Sequence, residues 1–359
     1  MAILSAPFTY AGFEMKNRMV MAPLTRGRAS DDGIQPAIAA TYYAQRASAG
    51  LIITESVNIS SMSKANDNIP GIYTSAQIDS WKTVTDRVHK NGGKIFMQLL
   101  HVGRLSLPDL LPGNVQPIAP SAVAARWQNY TRNGPKSTVM PRELTIDEIK
   151  VVRDEFVTAA KNAILAGFDG VELHAAYGYL IHQFLGTNTN LRTDSYGGDH
   201  TGRARFLLET TDAVTAAVGA EKTGIRISPC VAQHDMEDAD AVVFYPYLIH
   251  ELDKRHTAYL HVTGGLSPMP DTTWHERLRP LYKGCYIANG GFTKESGEAL
   301  LAANRADAIA YGQAFLANPD LPERFKKNAP LNAPDPATFY TPGGEGYIDY
   351  PFLEPEGVI

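Results

Sequence analysis

Cysteine is nearly absent from this chain: 359 residues contain only Cys230 and Cys285. Two isolated thiols exclude a disulfide framework and a thiolate zinc site, and leave each as a small apolar side chain. Basic blocks are missing too, and the formal net charge is -5, which argues against nucleic acid or an anionic membrane as partner. No apolar run approaches the roughly 20 residues of a membrane-spanning helix. The first ten residues lack the basic-then-apolar order of a secretory leader, so the expected location is cytoplasmic. There is no solenoid-length repeat and no low-complexity tract. What is present, 44% hydrophobic and 20% charged residues, describes a soluble enzyme domain whose partners are small molecules. Composition does not choose between a monomer and a homodimer.

Short β-branched runs alternate with longer amphipathic segments about eight times, at 18–24, 51–56, 94–100, 170–174, 223–229, 258–263, 285–289 and 308–311. That order predicts an α/β class protein, a single (β/α)8 barrel domain over 1–359 rather than two domains. Helices are expected over 75–90, over 145–166 with Thr145 and Glu148 at capping-box spacing, and over 296–303. Turn residues Ala11 and Gly12 predict an N-terminal hairpin closing the barrel bottom. The stretch 101–142, rich in Pro, Gly and Asn, is a long loop insertion after the third strand, of a size that forms lids or binding loops.

The chemistry is written at the strand ends. In V-E-L-H-A-A-Y-G-Y-L-I-H-Q (171–183) a buried strand finishes in His174, Tyr177 and Tyr179. In a barrel the loops after the strand ends form the active face, so imidazole and phenol groups there point to proton and oxygen chemistry. Pro23-Leu24-Thr25 follows the first strand, Glu55-Ser56 ends the second, Gln98 sits near the end of the third, and Arg226 belongs to the fifth. Arg226 pairs with a carboxylate such as Glu172 or Glu55, or else is a fixed cation beside an electron-accepting ring. Asn289-Gly290-Gly291 and Tyr311-Gly312-Gln313 place two glycine turns after the last two strands, where barrels bind phosphate. Flavin mononucleotide would use all of these groups.

Several ordered stretches carry a resemblance: M-A-P-L-T-R (21–26), Y-Y-A-Q-R-A-S-A-G-L-I-I-T-E (42–55), G-G-K-I-F-M-Q-L-L-H-V-G-R (92–104), A-G-F-D-G-V-E-L-H-A-A-Y-G-Y-L (166–180), R-T-D-S-Y-G-G (192–198), N-P-D-L-P-E-R (318–324) and G-Y-I-D-Y-P (346–351). Together they resemble the Old Yellow Enzyme family of FMN-dependent ene-reductases almost end to end. The resemblance implies non-covalent FMN, NAD(P)H as hydride donor, and reduction of activated alkenes: α,β-unsaturated carbonyls, nitroalkenes and maleimides. It implies Pro23, Leu24 and Thr25 under the flavin, Ser56 near its O4, Gln98 at its pyrimidine edge and Arg226 near N1. Asn289, Gly290, Gly312 and Gln313 fall on its phosphate positions. His174 and Tyr177 would grip the substrate oxygen, Tyr179 would donate the proton, and Leu100 and Tyr347 would line the substrate pocket. The R-T-D-S-Y-G-G run reads as scaffold, with Arg192 and Asp194 paired inside a loop.

Four positions depart from the family pattern. Tyr177 stands where Asn or His is usual, Leu100 where Trp is common, Asn66 where many relatives have Tyr, and Gln313 where the phosphate meets Arg; Lys294 is the residue expected to supply the missing charge. Two alternatives stay open: a reductase of nitrate esters or nitroaromatics on the same scaffold, and a weakly active flavin-binding protein. A metal-dependent hydrolase is remote, because no carboxylates join His174 and His182 in a ligand set.

Overall fold

The computed structural model describes residues 2–229, 231–265 and 272–353, so Cys230 lies outside the described residues. Eight parallel strands close into a barrel: β1 (Met19–Met21), β2 (Leu51–Asn58), β3 (Ile95–Leu100), β4 (Gly170–Ala175), β5 (Thr223–Ile227), β6 (Tyr259–Thr263), β7 (Tyr286–Asn289) and β8 (Ala308–Tyr311), with β8 paired back onto β1. Each lies on a run expected from the sequence. The first is shorter than expected: it leaves the ladder before Pro23, which has no N–H to give.

Around the barrel lie α1 (Ile38–Gln45), α2 (Ser75–Lys90), α3 (Ile146–Leu165), α4 (His200–Val218), α5 (Ala241–Asp253), α6 (Thr273–Leu278), α7 (Lys294–Ala302) and α8 (Leu321–Lys327). Thr74, Thr145 and Thr293 cap α2, α3 and α7 by accepting from the backbone N–H three residues on. Because Thr293 is the cap, α7 starts two residues earlier than the apolar pattern alone suggests. Among the described residues, no helix is long and apolar enough to cross a membrane.

Alternation along the strands builds two separate cores. Outward-facing Met97, Leu99, Val171, Leu173, Ile225 and Val262 pack under the helices. Inward-facing Val20, Leu51, Phe96, Tyr259, Cys285, Ile287 and Ala308 fill the barrel where the strands begin. An antiparallel hairpin, Phe8–Tyr10 against Phe13–Met15, lies over that end. Its two-residue turn needs left-handed backbone at both positions, which Ala11 and Gly12 adopt with φ of 46° and 85°. The Phe13 ring sits 5.7 Å from Phe96 and 5.6 Å from Tyr259. Space for those two rings comes from glycines on neighbouring strands: a Cβ on Gly170 would stand 2.4 Å from the Phe96 ring, and one on Gly224 2.2 Å from the Tyr259 ring.

Within the stretch 101–142 the chain forms an antiparallel strand pair, Gln128–Thr131 with Gly134–Ser137, and short helical turns. Leu100, Val102, Leu105, Ala65 and Ala125 make a small apolar cluster at its base, with Tyr179 packed against it.

Candidate active site

Past the aromatic layer the barrel interior turns polar in steps of two residues: β3 goes from Phe96 to Gln98, β4 from Glu172 to His174, β5 from Gly224 to Arg226, β6 from His261 to Thr263. A bulge in β2 adds to this set. The register shifts between Ile53 and Ser56, and one extra residue reverses which face a strand presents, so Ser56 follows Ile53 to the inside. There its hydroxyl reaches Gln98 Oε1 at 2.5 Å.

These buried polar groups fix one another. His261 Nδ1 lies 2.9 Å from Glu172 Oε2, and Gln98 Nε2 donates to Glu172 Oε1 at 2.7 Å. Burial by itself would raise the Glu172 carboxyl, but His261, Arg226 and Gln98 outweigh it and hold it below the usual carboxylate range. Gln98 is therefore clamped in one amide orientation, with one N–H and one lone pair left over.

Arg226 is buried at 5% exposure. Its Nη2 donates to Asn289 Oδ1 at 3.0 Å and to the Tyr177 hydroxyl at 3.2 Å, while its Nε has no partner. Neither expected carboxylate pairs with it: Glu172 is held by His261 and Gln98, and Glu55 accepts from Gln35 and the backbone of Arg26. A buried guanidinium with spare donors and no carboxylate bonded to it among the described residues is costly, and its free donors suit an anionic ligand.

All of these face a cavity of about 370 Å³ lined by Pro23, Leu24, Thr25, Ser56, Gln98, His174, Tyr177, Tyr179, Arg226, Asn289, Gly312 and Gln313, within the size range of small-molecule sites. His174 Nδ1 accepts from the Ala176 N–H at 3.3 Å. Burial, with Arg226 nearby, pushes the imidazole well below its ordinary pKa, so the ring is neutral and Nε2 carries its proton as a donor. Burial pushes the Tyr179 phenol up to about 12, so it stays protonated in neutral solution. Its ring stands edge-on to His174 at 4.9 Å. Tyr177 lines the same cavity, but its hydroxyl is engaged by Arg226 and by Thr263 Oγ1 at 2.9 Å.

Four expected placements are corrected, and a fifth residue, Asn289, lines the cavity as expected but without a free side chain. Tyr347 does not line the cavity: it is fully buried, stacked on Tyr42 at 4.1 Å, with the Arg28 guanidinium 4.3 Å above its ring. Tyr340, seven residues earlier in the same tail, lines it instead. Leu100 is not a lining residue but supports Tyr179 through the apolar cluster. Gly290 is a turn residue at φ 137°, packed toward Gly264 and Gly265 and off the cavity wall. The Asn289 side chain is spent within the protein, donating to Ala310 O and accepting from Arg226 and Thr263. Lys294 reaches Asn328 and not the cavity. Arg192 and Asp194 do pair inside their loop, at 3.0 Å, and His182 is tied to Gly178 N and to the Tyr245 hydroxyl. Sequence reasoning missed Ala22, a small apolar residue directly after the first strand, and Gln233, Leu316, Phe339 and Tyr340, none of which sits at the end of a strand, the signal that found the others.

A closed parallel barrel with a buried cation and a neutral imidazole at its C-terminal mouth has the build of a barrel enzyme that holds an electron-rich or anionic ligand. Residues 4–332 match the model of the NADH:flavin oxidoreductase / NADH oxidase family, and the chain belongs to that family, the Old Yellow Enzymes. It is 42% identical to 12-oxophytodienoate reductase 1 of Oryza sativa subsp. japonica, covering 98% of this chain and 93% of the relative. It is likewise 42% identical to a probable flavin mononucleotide-dependent alkene reductase of Leishmania infantum, covering 98% of each. Among solved structures, morphinone reductase in complex with tetrahydroNAD superposes with a TM-score of 0.93 at 43% identity over 98% of each chain. The old yellow enzyme homologue from Zymomonas mobilis gives 0.94 at 39% identity, over 98% of this chain and 99% of that one.

Proposed function

We propose that this protein is an NAD(P)H-dependent FMN ene-reductase, one barrel domain acting in the cytoplasm as a monomer or homodimer on α,β-unsaturated carbonyls, nitroalkenes and maleimides. The observation that carries this reading is Arg226, a buried cation facing a cavity with unspent donors and no carboxylate. FMN fits the donor set. Gln98 has one donor and one acceptor left for a pyrimidine edge, Arg226 complements the negative charge of a reduced ring, and Gly312 and Gln313 open the short helix Gln313–Ala317 on the phosphate side. When bound, FMN supplies hydride transfer from the nicotinamide to the alkene β-carbon.

The protein's own groups do the rest. His174 Nε2–H donates to the substrate carbonyl or nitro oxygen, an interaction that strengthens as negative charge develops there. Because the imidazole is neutral, it polarises that oxygen without giving up its proton. Tyr179, protonated and buried beside His174, delivers a proton to the α-carbon. Pro23, Leu24 and Thr25 border the same cavity, where they support the flat ring, and Tyr340 and Phe339 border the space left for substrate.

The absorption spectrum of the purified protein tests this directly. A flavin band should bleach anaerobically with NADPH or NADH and return when cyclohexenone is added. A colourless protein that cannot be reconstituted with FMN sinks the reading.

A further inference from the structure

We propose that Tyr177 is a positioning residue for Arg226: its phenol orients the guanidinium and so sets the reduction potential of the bound flavin, and grip on the substrate oxygen is left to His174. The inference rests on the FMN reading above and adds to it a role for a residue in which this chain departs from its family.

The backbone aims the side chain. Tyr177 has left-handed φ at 54°, an uncommon conformation for a residue with a bulky side chain. It is held there from both sides: its N–H donates to Ser228 Oγ at 2.8 Å, and its carbonyl accepts from His234 Nδ1 at 2.5 Å. The ring thereby lies under the Arg226 guanidinium, 5.0 Å from its centre, in cation–π range.

Proton counting along the network decides what the hydroxyl can do. Asn289 Nδ2 donates to Ala310 O at 2.9 Å, which fixes the amide so that Oδ1 faces Thr263 and Arg226. Thr263 therefore gives its only hydroxyl proton to Asn289 Oδ1, at 2.7 Å. Between Tyr177 and Thr263, 2.9 Å apart, the phenol must then be the donor, since the threonine has no proton left. Arg226 Nη2 donates to the phenol oxygen on its other side. The single proton of Tyr177 is committed, so the hydroxyl has none for a substrate oxygen. Its lone pair and ring face hold the guanidinium by two independent contacts. A cation fixed in place stabilises a negatively charged reduced ring more than a loose one does, because no reorganisation is needed when the charge arrives.

Tyr177→Phe removes the hydroxyl and keeps the ring. Oxidised and reduced FMN dissociation constants are measured, together with affinity for a simple phenol such as 4-chlorophenol, read from its charge-transfer band over oxidised flavin. The expected result is a roughly tenfold loss of preference for reduced over oxidised FMN, about 30 mV more negative for a two-electron couple, with phenol affinity unchanged. Thr263→Val should shift the potential in the same direction, and the double variant little further, because both break one chain of bonds. His174→Ala should abolish phenol binding with the potential nearly unmoved. The proposal is overturned if Tyr177→Phe leaves the potential where it was and weakens phenol binding as His174→Ala does. Wild-type protein that takes up no FMN would overturn both this inference and the functional reading beneath it, whereas normal uptake with an unmoved potential overturns this inference alone.

Discussion

At the end of the barrel where the strands start, the interior holds Phe13, Phe96, Tyr259 and the side chains of Val20, Leu51 and Ile287; at the other end, on the same strands, it holds Gln98, His174, Arg226 and Thr263. Every one of these side chains is at most 5% exposed. The two ends differ in what one step along the inward face brings, about 7 Å of strand. At the closed end apolar surface is buried against apolar surface, with the Tyr259 hydroxyl the one polar atom among these side chains. At the open end buried donors and a cation are left partly unpaired, a cost of several kcal/mol if nothing binds. Stability and chemistry are thus segregated along the barrel axis.

The largest expected effect falls at the open end. Tyr179→Phe should slow oxidation of the reduced enzyme by a simple enone by about 10² to 10⁴, the usual worth of one general acid, with the NADPH half-reaction near normal in stopped flow. Equal losses in both halves would assign Tyr179 a structural part. Nitroalkenes should suffer less, because their reduced product can take its proton from water.

The converse belongs to the closed end. Phe13→Ala should cost about 3 to 5 kcal/mol in urea unfolding, as truncation of a buried ring does, and leave both half-reaction rates as they were. If turnover falls with stability intact, the two ends communicate and the segregation fails.

A smaller effect is expected from the phosphate side. Gln313→Arg should tighten FMN by roughly tenfold, about 1.4 kcal/mol, by adding a charge-assisted contact. Lys294→Ala should leave flavin retention on dialysis unchanged, because the lysine is engaged by Asn328; release of flavin would mean that Lys294 reaches the phosphate in solution.

The smallest effect is none at all. With His174 held well below 6.5 and Tyr179 raised from 10.0 to about 12, neither changes protonation between those two ordinary values. The enone half-reaction should be flat across that window. A rate that declines by pH ~8 to 9 would give the proton to a group other than Tyr179.

The strands and the helices expected over 75–90 and 145–166 are legible because two-residue and 3.6-residue periodicities are local, and so is the Thr145 capping box; the Thr293 cap is just as local, but the apolar pattern passes over it. Residues at strand ends were legible for a related reason: position in a barrel fixes which end they face. Side-chain partnership is not local, and the sequence does not display it. Tyr340 and Tyr347 sit in one Gly- and Tyr-rich tail, and only the distant Tyr42 and Arg28 decide which of them is buried. Asn289 looked like a phosphate ligand because its sequence neighbours are glycines, yet its amide is consumed by Arg226, Thr263 and Ala310 across the barrel. The turn of Tyr177 toward Arg226 depends on Ser228 and His234, more than fifty residues away.

Gly170 and Gly224 mean more than open space beneath two rings. Each is the complement of an aromatic on a neighbouring strand, 74 and 35 positions distant in the chain, so neither glycine can grow alone. An alanine at 224 demands a smaller residue at 259, whereas one at 170 would meet the Lys222 carbonyl at 2.5 Å as well as the Phe96 ring, so no change at 96 alone admits it. The constraint on the floor of the barrel therefore lies on the glycines, and a library that randomises position 170 or 224 singly should return almost nothing but glycine.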